Sequence, residues 1–108
     1  MEFINLTPHT INLITESGKK VIPASGVIAR VEQTTTLVRE IDGIPVVQSH
    51  WGDILDLPDP KEDTLYIVSA MVANAAKAKG RIQDVVCPGD FVRNDAGQIQ
   101  GARNLMYV

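Results

Sequence analysis

Asp42-Gly43 stands between two β-rich runs, and no other feature of the chain limits its folding options as tightly. An Asp-Gly pair accepts the positive φ angles of a tight reverse turn, so β-type residues on either side are directed into a hairpin. Upstream, residues 27–41 are rich in β-branched side chains, with Thr34, Thr35 and Thr36 in succession. Val27, Ala29 and Val31 alternate with Ile28, Arg30 and Glu32, the pattern of a strand with one buried face. Ile44 to Gln48 supplies the return arm, and residues 32–41 are free to pair with either neighbour.

The rest of the chain is punctuated in the same way. Phe3 to Leu6 leads into a kink at Thr7-Pro8-His9, and Thr10 to Thr15 follows as a strand with Ile11 and Leu13 on one face. Glu16 to Lys19 is a turn, and Pro23 cuts short the strand begun by Val21-Ile22. Residues 52–63 (GDILDLPDPKED) read as an irregular surface connection. Thr64 to Val68 reads as a central buried strand, Cys87-Pro88-Gly89-Asp90 as a turn, and Asn94 to Gly97 as a second hairpin turn. One helix is expected at about 69–79. Ser69 offers an N-cap oxygen, alanine dominates the interior, Lys77 and Lys79 suit the C-terminal dipole, and Gly80 stops it. Its alanines let it lie close to a sheet, with Asn74 and Lys77 as a polar stripe. The fold implied is α+β and mostly β: a mixed, largely antiparallel curved sheet of about 6–8 short strands with one helix packed on it.

With 108 residues there is room for a single domain, 1–108. A hydrophobic share of 44% with 21% charged residues fits a folded chain rather than a disordered one. The net charge of −3, with both signs interspersed, argues against general nucleic-acid binding, which needs a clustered basic face. Cys87 is alone, so no intrachain disulfide can form. The opening MEFINLTPH has no basic segment before an apolar run, and no stretch reaches the roughly 20 apolar residues of a membrane span. A cytoplasmic protein without membrane association is expected.

The chemistry-bearing residues point to binding rather than catalysis. His9, His50 and Cys87 never fall at zinc-motif spacing, so no metal and no cofactor are expected. Ser69, between an apolar strand and a helix, has the placement of a nucleophile elbow but lacks its glycine motif, and an N-cap role accounts for it. The acids of 53–63 are those of a solvated loop. Anion binding has more support: Val68-Ser69-Ala70 puts a hydroxyl and free amides at a helix start, and Arg81 and Arg93 offer guanidinium forks. Equally, Arg81 and Arg93 can be surface residues paired with Asp84 and Asp95. In the segment 5–10 (NLTPHT), Asn5 and Thr7 can satisfy local backbone groups, and His9 is not needed for a turn. The segment is either a polar staple closing one end of the sheet or a ligand-facing loop.

The opening NLTPHTI resembles the start, Asn-Leu-Thr-Pro-His and an aliphatic residue, of small proteins in phages, prophages and some bacterial genomes. DGIPV, TLYIVSAMVANA, DVVCPGD and FVRNDAGQIQGARNL extend that resemblance over nearly the whole chain. Before Val85-Val86 the group often has Arg-x-Asp, whereas this chain has Arg81-Ile82-Gln83-Asp84, one residue longer. The group has no established activity, so the resemblance implies a setting, the cytoplasm of an infected host. Compact phage domains of this size sequester nucleotide signals of bacterial defence, block host proteins or join the virion.

Three readings follow. In the first, the chain is a counter-defence sponge that sequesters a phosphate-bearing small ligand such as a nucleotide, built as a homo-oligomer. Its expected ligand-binding residues are Thr7, His9, Trp51, Tyr66, Ser69, Asn74, Arg81 and Arg93. In the second, it is a non-catalytic protein-interaction or virion-associated protein, marked by an exposed apolar patch in residues 44–58. In the third, it is a small hydrolase using Ser69 or Asp84.

Overall fold

The computed structural model describes residues 1–108. Its strands are β1 (Glu2–Asn5), β2 (Ile11–Thr15), β3 (Gly18–Ile22), β4 (Arg30–Ile41), β5 (Ile44–Leu55), β6 (Thr64–Ile67), β7 (Val85–Arg93) and β8 (Ile99–Met106), and its one helix is α1 (Ala70–Ala78). Six strands form a curled mixed sheet in the order β1-β6-β7-β8-β2-β3, while β4 and β5 pair only with each other. The long ladders, β2 with β3, β7 with β8 and β4 with β5, are antiparallel. Short parallel pairings join β1 to β6, β6 to β7 and β2 to β8. The mostly β, one-helix fold expected from the sequence is therefore present.

Period-2 alternation through the centre of the sheet divides the interior in two. Tyr66, Val68, Val85 and Cys87 belong to a cluster with Leu6 and Ala29, closed by the α1 residues Val72, Ala73 and Ala76. Ile67 and Val86 point the other way, into the curl, where they meet Ile11, Leu13, Ile22 and Ala102. The alanines of α1 allow the close approach: Ala73, Ala75 and Ala76 are all buried. Ser69 caps the helix by accepting the Val72 amide at 3.3 Å, and Gly80, at φ 84°, ends it.

Asp42 and Gly43 take φ 52° and 78°, the tight turn their chemistry favours, and Ile41 faces Ile44 across it. What the turn closes departs from expectation. The strand starts at Arg30, not Val27, and its partner β5 continues to Leu55, so the irregular connection begins at Asp56 rather than Gly52. Neither face of the paired arm is covered over most of its length, because β4 and β5 are exposed at nearly every position. Only the base, through Val31 and Ile54, reaches the core. The alternation read at 27–32 delivers Ala29 and Val31 to the core, although Val27 stays exposed. It does not carry up the arm, because burial needs a second layer and none reaches beyond the base.

Pro88-Gly89 also behaves differently, since β7 runs straight through it. Strand β6 pairs with β7 only at Val85 and Val86 and then turns into α1. Beyond that point one edge of β7 is free, and a proline lacking an amide hydrogen is tolerated there. Pairing with β8, from Cys87 opposite Met106 onward, carries the strand through Pro88-Gly89, and the expected turn survives only as a local kink at Asp90, φ 48°.

Candidate functional site

The parallel strands β1 and β6 end side by side, and both of their exits carry chemistry-bearing residues. From β1 the chain passes into Leu6-Thr7-Pro8-His9, and from β6 into Ser69 and the first turn of α1. Crevices outside the carboxyl ends of parallel strands are common ligand sites, because loops and helix starts converge there. Here Thr7, His9 and Ser69 share the wall of one cleft of about 670 Å³ with Pro88, Phe91 and Ile99. That volume lies within the range of small-molecule sites, about 300–1,000 Å³. A smaller hollow of about 340 Å³, lined by Ile28 and Met71, lies on the other side of Thr7, Pro8 and Ser69.

Asn5 organises the loop. Its side chain is buried; its amide donates to the His9 carbonyl at 2.8 Å and to the Ile22 carbonyl at 3.1 Å. Its carbonyl oxygen accepts from the Thr7 amide at 3.0 Å and from the Thr7 hydroxyl at 2.6 Å. With its one proton given to Asn5, the Thr7 hydroxyl oxygen accepts the His9 amide at 3.4 Å. Asn5 and Thr7 thus form the polar staple that closes this end of the sheet. The staple uses the backbone of His9 and leaves its imidazole, which hydrogen-bonds to no protein group, at the cleft.

At the helix start, Ser69 accepts the Val72 amide, while the amides of Ala70 and Met71 precede any intrahelical acceptor. These amides and the positive end of the helix dipole favour an anion. No base contacts the Ser69 hydroxyl, whose one hydrogen bond is its capping bond. Phe91 and Ile99 supply a half-exposed apolar wall.

The other residues expected at a ligand site lie elsewhere. Arg81 forms a two-pronged pair with Asp84 at 3.1 and 2.8 Å, also donates to the Pro58 carbonyl, and lies 5.7 Å over the Tyr66 ring. Tyr66 is buried, and its hydroxyl donates to the Asp59 carbonyl at 3.1 Å. Together they fasten the 56–63 connection to the sheet. Arg81 follows the C-terminus of α1, and a nine-residue helix separates it from Ser69, a rise of about 13 Å. Arg93 donates to the Gly97 carbonyl at 2.8 Å within the β7–β8 turn rather than pairing with Asp95. Asn74 donates to the Ala70 carbonyl on the exposed side of α1, and Trp51 stands half-exposed on the β4–β5 arm beside Gln33. Arg81, Arg93 and the Ser69 amide are not brought together into one cradle.

Phe91, Ile99 and Gly101 were not singled out by sequence reasoning. Phe91 and Ile99 read there as ordinary strand residues, and their arrival beside His9 depends on the long-range β2–β8 pairing. No group of three or more His, Cys, Asp or Glu side chains could hold a metal ion, and no helix is long and apolar enough to cross a membrane. Burial raises the Cys87 thiol above the usual cysteine range. No family model matches the chain, and neither a curated protein nor a solved structure does.

Proposed function

We propose that the chain is a binding protein that sequesters a small phosphate-bearing ligand of nucleotide type in the cleft between the Thr7–His9 loop and the start of α1. The observation that carries this reading is the convergence of an imidazole free of protein partners, a helix N-terminus and an apolar wall on one cleft of about 670 Å³. Phosphate oxygens accept from the Ala70 amide, the Ser69 hydroxyl and the His9 ring. A base or sugar face lies against Phe91 and Ile99. Arg81 and Arg93 have no part in this site. A nucleotide signal of bacterial defence is the ligand class that fits both this chemistry and the phage-type resemblance of the sequence.

A thermal-shift series with linear and cyclic nucleotides and ADP-ribose-type compounds tests the reading. At least one compound is expected to raise Tm, and His9→Ala and Phe91→Ala are each expected to reduce the rise while leaving the ligand-free Tm nearly unchanged. No rise with any compound at millimolar concentration refutes it. A second reading, a protein-interaction or virion-docking module, is favoured by the uncovered apolar side chains of β4 and β5, among them Leu37, Ile44, Val47 and Trp51. Capture of one host or virion protein that depends on Trp51 distinguishes it.

A further inference from the structure

We infer that the β4–β5 hairpin is an assembly arm, covered on both faces by a second copy of this chain. The inference is independent of what the cleft binds. Two strands of 12 residues pair along their whole length and join no other sheet. A lone two-stranded hairpin is at best marginally stable in water. This one exposes Leu37, Val38, Ile41, Ile44, Val46 and Val47 around its tip. The arm also lengthens the molecule, whose radius of gyration is 16.5 Å where a compact chain of this length has about 13 Å.

The area matches what a dimer needs. Strands of this length extend about 40 Å, and a two-stranded ribbon about 10 Å wide presents roughly 400 Å² on each face. Both faces together give about 800 Å², the share one partner contributes to a stable interface. In a twofold exchange each copy also buries the surface that receives its partner's arm, so the total exceeds that requirement. The occupant must be present for as long as the arm stays paired, because a bare two-stranded ribbon is marginal and only 19 of 108 residues are buried within one copy. A second copy meets that condition; a partner met only on some occasions does not.

Charge indicates where the arm lands. Its tip carries Glu40 and Asp42 against the single cation Arg39. The terminal sheet strand β3 pairs with no further strand and carries Lys19 and Lys20 with no acid. Lys20 lies 5.3 Å over the Phe3 ring, and only the end of the strand, at the Ile22 carbonyl, is held by Asn5. An acidic, apolar tip therefore fits the basic β3 edge of another copy, beside the exposed Val21.

Light scattering after gel filtration, with native mass spectrometry at micromolar concentration, tests the inference. The wild-type chain is expected at a multiple of 11.8 kDa. Two double variants, Ile44→Lys with Val47→Glu in the arm and Lys19→Glu with Lys20→Glu on β3, are expected to shift toward single-chain mass. Both sites lie outside the buried clusters, and Cys87 still protected from alkylation shows that the body of each variant is folded, whatever the uncovered arm does. A wild-type chain that runs at 11.8 kDa overturns the inference, including when the arm then captures another protein or a vesicle. So does a folded variant of either kind that keeps the wild-type mass.

Discussion

Replacing Asn5 with alanine removes four hydrogen bonds that no neighbouring side chain can restore. The bond to the Ile22 carbonyl lies in the dry interior, and its loss costs about 1–2 kcal/mol. The other three involve Thr7 and His9, where water reaches the freed groups, so each contributes about 0.5 kcal/mol. The sum is about 3 kcal/mol, most of it in the joint that fixes the Thr7–His9 loop to β3. Urea unfolding followed by far-UV circular dichroism measures it: with a slope near 1.5 kcal/mol/M, the midpoint falls by about 2 M. Asn5→Asp separates the donors from the acceptors, because it retains the oxygen that serves Thr7 but turns a second oxygen toward the His9 and Ile22 carbonyls. It is expected to be at least as destabilised at neutral pH and to recover partly as the carboxyl gains a proton. A loss below about 1 kcal/mol for Asn5→Ala would refute the claim that this side chain holds the loop in place.

Further outcomes follow from other joints. Arg81→Ala strands the largely buried Asp84 and frees the Pro58 carbonyl, so it should lower stability by about 1–3 kcal/mol in the same assay while leaving any ligand-induced rise in Tm intact. Gly101→Ala would place a methyl 2.6 Å from the Asn12 carbonyl oxygen and 3.0 Å from Ile14. Parting β8 from β2 should cost about 1–3 kcal/mol, read from thermal unfolding. Cys87 should resist alkylation at pH 8 until the chain unfolds, so labelling should follow the unfolding curve. With its folded pKa raised, the thiol's contribution to stability is complete below the unfolded pKa and is lost as pH rises from there through the folded value, so the unfolding midpoint should fall in that alkaline window and a Cys87→Ala variant should lose that part of the fall.

Local chemistry made half of this molecule legible in its sequence. Asp42-Gly43, Asn94 to Gly97 and Ser69 with its alanine run each place the backbone through interactions within a few residues, and each formed where expected. The uncovered arm was not legible, because a β-branched run states that a strand is favourable without stating what will cover it. Pro88-Gly89 misled for a similar reason: its extended state depends on where β6 ends, which is fixed some 20 residues earlier in the chain. At the site, the pairing of Arg81 with Asp84 was one of two open readings, and geometry selects it through the Pro58 carbonyl and the Tyr66 ring. The meeting of His9 with Ser69 follows from the parallel β1–β6 pairing, and that of His9 with Phe91 from strand order, neither of which any local pattern records.

Mass spectrometry of the protein purified natively from cells with active nucleotide-based defence signalling, run on intact and denatured samples, tests the central claim most directly. The account predicts a near-stoichiometric nucleotide that is released on denaturation and is lost or much reduced in His9→Ala. A clean ligand-free spectrum from such cells, with the same result for the variant, would contradict it.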